Sequence, residues 1–164
     1  MSTDNNPYAA PKADVADVGT HASGPLPALW NPNAAASWSL LFSPIFGAFI
    51  HMKNWQAMGE PEKAATAKNW VIASLALLVI ATILAIMLPR SQGAAALSRF
   101  GGFAMLLAWY FSSAKAQVAA VQARYGRDYP RKGWGKPLGL GLALLCGFML
   151  LGAVMGFIVA ITAG

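Results

Sequence analysis

The hydrophobic pattern of this chain is dominated by one uninterrupted apolar run at residues 70–88, WVIASLALLVIATILAIML. The run contains no charged residue, and its apolar residues occupy every face of a helix rather than a single stripe. At about 1.5 Å of rise per residue, such a helix reaches roughly 28 Å, close to the hydrocarbon thickness of a bilayer. The pattern predicts a transmembrane helix over 70–88, preceded by a short helical extension that begins at Pro61.

Three further apolar stretches predict spans over about 34–52, 95–114 and 138–163. The first of them has the length of a span, but it contains Pro44, which removes a helix hydrogen bond and favours a kink. Length favours a kinked helix that crosses the bilayer, and the alternative is a broken or re-entrant element. After the third span, the helical pattern continues with polar residues until Gly126, so this part is expected to protrude from the bilayer.

The predicted fold is therefore an all-α integral membrane protein, a small bundle of four transmembrane helices or of three plus a re-entrant first segment. Residues 1–33 form a polar, proline-containing tail that cannot bury enough surface to offset its ordering entropy, so disorder is expected there. The tail has neither the basic start nor the apolar run of a signal peptide. Residues 34–164 form the transmembrane helical domain.

Two stretches of the chain carry a family resemblance. The motif Asn6-Pro7-Tyr8-Ala9-Ala10-Pro11 resembles the NPYxxP-type tail at the start of many small bacterial membrane proteins. Residues 29–55, LWNPNAAASWSLLFSPIFGAFIHMKNW, resemble uncharacterised inner-membrane proteins of proteobacteria. The resemblance implies a location in the bacterial inner membrane, and it brings no assigned activity with it.

Composition and charge agree with a membrane location. The chain has 164 residues, of which 57% are hydrophobic and only 11% are charged, whereas about 25% are charged in an ordinary soluble domain. The net charge of +6 comes from Lys and Arg in short loops beside apolar segments. This distribution leaves no basic face for a phosphate backbone, so no nucleic-acid partner is expected.

The distribution of basic residues also predicts the orientation. The loops 53–69 and 115–137 hold nine of the twelve Lys and Arg residues. By the positive-inside rule both loops are expected in the cytoplasm, with the C-terminus in the periplasm. Four spans would place the tail outside, and three spans with a re-entrant first segment would keep it inside.

Several residues are expected to lie at membrane interfaces or helix contacts. The repeated triplets at 53–55 and 68–70, together with the aromatic–basic loop that follows, predict interfacial anchors; these are Lys53, Trp55, Lys68, Trp70 and Trp134. Gly152 and Gly156 form a GxxxG pair, which lets two helices approach closely. The second helix belongs either to this chain, which is the favoured interpretation, or to a partner. Arg99 lies near the start of a predicted span, and an arginine within a span indicates a functional role by default. The favoured explanation is that its side chain extends from the helix end to the membrane surface.

The types and positions of the acidic residues and of the cysteine favour a binding protein over an enzyme. None of the six acidic residues falls inside a predicted span, and the chain contains no recognisable catalytic motif. Cys146 is the single cysteine and lies in an apolar run, so no disulfide, metal or other cofactor is expected. The function expected is therefore binding of a membrane protein partner, for example by an immunity protein that blocks a membrane-targeting toxin. An accessory subunit of a membrane complex and a small oligomeric channel or transporter are the alternatives.

Overall fold

A computed structural model describes residues 25–88 and 91–162 of the chain. The secondary structure of this part is helical apart from one isolated bridge, which confirms the predicted all-α class. Its elements are α1 (Pro32–Phe42), α2 (Pro44–Ala57), α3 (Pro61–Met87), α4 (Gln92–Trp109), a π-helical segment (Tyr110–Ala114), α5 (Lys115–Tyr125) and α6 (Gly135–Thr162). Residues 1–24 of the predicted tail 1–33 lie outside the described residues. The rest differs from the expected disorder near its end, because Leu29 is fully buried and α1 begins at Pro32.

Three helices of the described chain are long and apolar enough to cross a membrane, namely Pro61–Met87, Gln92–Tyr125 and Gly135–Ile158. The first begins at Pro61, as predicted, because proline fits the first turn of a helix, where its missing N–H costs nothing. The second combines α4, the π-helical segment and α5 without a break. It ends where Gly126 adopts a φ of 60°, which glycine tolerates better than other residues.

The predicted span 34–52 is not one helix, and the four-helix count is therefore not supported. The chain breaks at Ser43, whose φ of 85° lies in the left-handed region, and Pro44 starts α2 without a backbone N–H. With 11 and 14 residues, α1 and α2 reach roughly 17 and 21 Å, each short of a bilayer of about 30 Å. The number of long apolar helices matches the alternative of three spans plus a broken first segment.

Helices α1 and α2 form an antiparallel hairpin. At its base, the backbone of Trp30 bonds to Asn54, and Pro32 O contacts His51. At its tip, Ser43 and its neighbours face the middle of α3 and α4 across a mainly apolar cavity of about 110 Å³. The hairpin therefore starts and ends at one end of the molecule, and its tip lies level with the part of α3 between Ser74 and Ala81.

The segment before α1 pairs with the loop that precedes α6. Leu29 N donates to Pro130 O and Lys132 N donates to Leu29 O, both at 2.9 Å, which makes a short parallel bridge. Leu29 is fully buried in a core cluster that also contains Trp55, Val121 and Tyr129. This pairing places the base of the hairpin at the same end of the molecule as the loop 126–134.

The long helices bury little of their surface inside the chain. In the apolar 18-residue stretch of α3, and likewise in that of α6, only 6% of the residues are buried inside the chain. Their outward side chains are mainly large and hydrophobic, as expected for helices in contact with lipid. The buried core is concentrated where the hairpin meets α3, α4 and α5.

Candidate functional site

The most distinctive site in the described chain is a buried polar junction at the base of the hairpin, formed by His51, Asn54 and Gln117. All three side chains are fully buried. His51 and Asn54 lie three residues apart on α2, and such a spacing places them on one face of the helix. Gln117 comes from α5, so the junction ties the hairpin to the second long helix.

Asn54 is the centre of this junction. Its Oδ1 accepts a hydrogen bond from Trp30 N at 3.0 Å, and its Nδ2 donates to Trp30 O at 2.8 Å. The same Nδ2 lies 3.3 Å from Gln117 Oε1, and Gln117 Nε2 donates to His51 O at 2.8 Å. The Asn54 amide thus pairs with both backbone groups of Trp30, and the Gln117 amide connects Asn54 with the backbone of α2.

His51 is held in its uncharged form. Its Nε2 lies 3.0 Å from Pro32 O, and because a carbonyl can only accept, Nε2 carries the proton. Burial lowers the pKa of His51 from 6.5 to about 4, and the hydrogen bond to Pro32 opposes this effect. His51 lies on α2, outside the three helices that are long and apolar enough to cross a membrane.

The ring of Trp109 closes the junction from the side of α4. Its centroid lies 5.1 Å from that of His51, and the two rings meet edge to face. The indole Nε1 and His51 Nδ1 are both buried without a hydrogen-bond partner. The π-helical segment begins directly after Trp109.

Gly47 lets the hairpin close against this tryptophan. A Cβ atom at position 47 would overlap Ser39 Oγ and the outer edge of the Trp109 ring. Ser39 is also buried, and its hydroxyl donates to Ala35 O within α1. The absence of a side chain at Gly47 therefore sets the distance between α1, α2 and α4.

The side chains of the junction suit a structural role, in which they hold the helices in fixed positions. Its only ionisable group is His51, and no carboxylate, thiol or unpaired hydroxyl lies among the residues that form it. Within residues 25–88 and 91–162 there is no cluster of three or more His, Cys, Asp or Glu side chains that could hold a metal ion. The amide and imidazole groups supply directional hydrogen bonds between elements distant in sequence.

A second, exposed polar contact connects the turn before α3 with α5. Arg124 donates to Glu60 Oε1 at 2.7 Å, and Lys63 Nζ lies 3.2 Å from Glu60 Oε2. The hydrogen bonds from Arg124 and Lys63 hold the pKa of the Glu60 carboxyl below its ordinary value. This contact lies near the base of the hairpin, because the backbone N–H of Glu60 donates to Trp55 O.

The predicted interface anchors lie in different surroundings. Lys53 and Lys68 are exposed, whereas Trp70 and Trp134 are half-buried. Trp55 differs from the expected interfacial anchor because only 4% of it is exposed, and the Lys63 ammonium lies over its ring, 4.9 Å from the ring centroid. Trp55 is a core residue that packs against Ala64 and Ala67 in the first part of α3.

The predicted contact residues are not brought together. Arg99 is exposed on α4, without an ion pair in the described chain. Gly152 and Gly156 lie on α6 with no atom within 4 Å of the position that a Cβ would occupy. The favoured packing of this pair within the chain is not what the structure contains, and the pair faces open space.

The hydrophobic pattern of the sequence does not predict the polar junction. His51 lies near the end of the predicted span 34–52, and Gln117 lies in the polar stretch that follows the predicted span 95–114. The available signal was a pair of polar residues with helical spacing at the end of an apolar stretch, His51 and Asn54.

Comparison of the chain with protein-family models, with curated proteins and with solved structures gives no match.

Proposed function

We propose that this protein is a non-enzymatic, multi-pass protein of the bacterial inner membrane that acts by binding a protein partner within the bilayer. The observation that carries the proposal is the position of α6. This helix packs on the hairpin near its own start, where Gly141 lies against the ring of Phe42. From residue 146 to residue 157 every residue is exposed.

The exposed part of α6 contains the pair Gly152 and Gly156. A glycine pair at this spacing leaves a shallow groove in which another helix can approach closely, and lipid chains fill such a groove less well than a helix. Van der Waals packing along this groove would hold a partner helix. Arg99, exposed on α4, is the second proposed contact.

The partner takes one of two forms in this proposal. If it is a pore-forming or membrane-targeting toxin, the protein acts as an immunity protein that blocks it. If it is a subunit of a larger membrane complex, the protein is an accessory subunit. The small size and the exposed apolar surface suit both forms, and a homo-oligomeric channel or transporter is the remaining alternative.

The same proposal includes a topology. The loops 53–69 and 115–137 lie in the cytoplasm and the C-terminus in the periplasm, because most of the basic residues occupy these loops. The hairpin enters the membrane from the cytoplasmic side and returns to it. Support comes from the pairing of Leu29 with Arg131, which keeps the chain before the hairpin beside a basic loop.

Co-purification tests the partner. The full chain with an N-terminal tag is extracted in mild detergent, and proteins bound to it are identified by mass spectrometry. The double variant Gly152→Leu/Gly156→Leu is expected to lose the partner, and Gly139→Leu, on the same helix with open space around it, is expected to retain it. Equal recovery with both variants contradicts the proposed contact, and recovery of a defined oligomer alone favours the channel.

A further inference from the structure

A half-open cavity of about 270 Å³ lies beside the base of the hairpin and is separate from the polar junction. Three parts of the chain form it: the start of α1, one face of α5 and the loop that follows α5. The lining residues that matter for its chemistry are Asn33, Gln122, Arg127, Tyr129 and Arg131.

The cavity holds two cations that no carboxylate neutralises. Within residues 25–88 and 91–162, both ion pairs involve Glu60, and neither involves Arg127 or Arg131. No acidic residue lines the cavity. Two guanidinium groups that share one concave space repel each other, and an anion between them would remove this repulsion.

The backbone fixes the positions of both arginines. Gly126, with a φ of 60°, ends α5 and turns the chain so that Arg127 follows at the rim of the cavity. Arg131 pairs with Leu29 in the parallel bridge. Its guanidinium carbon lies 5.7 Å from the centroid of the Tyr129 ring, which is itself only 8% exposed and therefore held in place. The backbone at both arginines and the stacked guanidinium of Arg131 are thus positioned before binding, which reduces the entropy that binding would cost.

The remaining lining groups also suit an anion. The side chain of Asn31 already accepts hydrogen bonds from the N–H groups of Asn33 and Ala34, so the backbone donors of the first turn of α1 are occupied. The positive end of the α1 dipole nevertheless lies at the cavity. The amide groups of Asn33 and Gln122 are left as further donors beside the two guanidinium groups.

From this geometry we infer that the cavity binds a phosphate group, carried either by an anionic lipid headgroup or by a soluble phosphate compound. Guanidinium groups match the tetrahedral oxygens of phosphate through paired N–H donors, and two arginines line this cavity. The volume leaves room for a phosphate and the group that it is attached to. The inference is independent of the partner proposed for α6.

Two binding measurements on the purified full chain separate the sources of phosphate. In neutral detergent, isothermal titration calorimetry with inorganic phosphate measures a soluble anion. Native mass spectrometry of the delipidated protein, with phosphatidylglycerol added against phosphatidylcholine, measures a lipid headgroup. Binding in the first experiment identifies a soluble phosphate, and selective retention of phosphatidylglycerol without inorganic phosphate binding identifies the lipid.

Substitutions then test whether the cavity is the site. Arg127→Gln and Arg131→Gln are each expected to weaken binding about tenfold or more, because each removes a charge-assisted hydrogen bond. Val118→Trp keeps every charge and fills the cavity from its wall, so it is expected to weaken binding as well. The control Lys53→Gln/Lys68→Gln removes two exposed charges outside the cavity and is expected to change binding less than twofold.

Two results would overturn the inference. The first is the absence of binding of both inorganic phosphate and phosphatidylglycerol to the unmodified chain. The second is an equal loss of binding in the arginine variants and in the lysine control, which would indicate diffuse attraction to a basic surface.

Discussion

The side-chain amide of Asn54 pairs with the backbone of Trp30 and acts as both hydrogen-bond donor and acceptor. Trp30 N donates to Asn54 Oδ1 at 3.0 Å, and Asn54 Nδ2 donates to Trp30 O at 2.8 Å. The two residues lie at opposite ends of the hairpin sequence and meet at its base. This contact closes the hairpin and, through Gln117, attaches it to α5.

Substitution of Asn54 by Leu is therefore expected to destabilise the protein by about 3 kcal/mol. The change leaves the part-buried N–H and C=O groups of Trp30 and the buried Gln117 Oε1 without the partner that Asn54 supplies, and an unsatisfied buried group costs about 1–3 kcal/mol. Thermal unfolding in detergent measures the effect. The matched control is Asn69→Leu on the exposed surface of α3; a similar loss in both variants would contradict this role of Asn54.

Gly47 is expected to tolerate no side chain. A Cβ atom there overlaps Ser39 Oγ and the Trp109 ring, and both of these side chains are buried, so the helices must move apart. Gly47→Ala is expected to cost about 1–3 kcal/mol of unfolding free energy, as overpacking of a tight core usually does. Gly139→Ala in α6, which meets nothing within 4 Å, is expected to be neutral or stabilising. A neutral Gly47→Ala would show that the hairpin is loosely packed.

The long helices and the hairpin differ in how far local sequence determines them. An apolar run such as 70–88 satisfies its backbone hydrogen bonds within one regular helix, whatever surrounds it. The hydrophobic pattern alone therefore predicts α3. Pro44 marks a break but not its angle. The reversal of the chain depends on the conformation of Ser43 and on the pairing of Asn54 with Trp30, which lies 24 residues away.

The interface residues show a second limit of sequence patterns. Lys53 and Trp55 are arranged in the same triplet as Lys68 and Trp70, yet Trp55 is in the core and Trp70 is partly exposed. A lysine beside a tryptophan is typical of a membrane interface, but the Trp55 ring is buried, and the cation that covers it is Lys63 of α3, outside the triplet. Only the path of α3 across the base of the hairpin decides between an interfacial and a buried tryptophan.

Acid is expected to weaken the polar junction. The pKa of His51 is depressed to about 4, so protonation favours the unfolded state, in which the ordinary value near 6.5 applies. Above about pH 6.5, His51 is neutral in both states and contributes no pH dependence. As the pH falls from 6.5 to 4, stability is expected to drop by up to about 3 kcal/mol.

Unfolding midpoints between pH 7.5 and pH 4.5 measure this dependence. His51→Gln keeps a donor for Pro32 O but cannot titrate, so its stability is expected to change much less over this range. His21→Gln, in the tail, is the control and is expected to behave as the unmodified chain. An unchanged pH slope in His51→Gln would mean that other groups cause the acid sensitivity.

Both ends of the hairpin are expected on one side of the membrane. Single cysteines at Asn33 and Lys53, exposed at the base of the hairpin, are introduced after Cys146 has been replaced by Ala. An impermeant thiol reagent added to intact cells is expected to label neither position, nor a cysteine at Lys132, and to label one at Ser91. Labelling of Asn33 with protection of Lys53 would mean that the segment crosses the bilayer.

The contact of α6 with the hairpin is expected to depend on Gly141. The Phe42 ring lies 3.2–3.4 Å from the position that a Cβ of residue 141 would take, so a larger side chain must push α6 away. Electron–electron resonance between spin labels at Ser37 and Met149, both exposed, measures the separation in a Cys146→Ala background. Gly141→Leu is expected to lengthen or broaden this distance, and Gly139→Leu to leave it unchanged. An unaltered distance in Gly141→Leu would mean that the Phe42 ring turns aside and that other contacts at the start of α6 hold the helix in place.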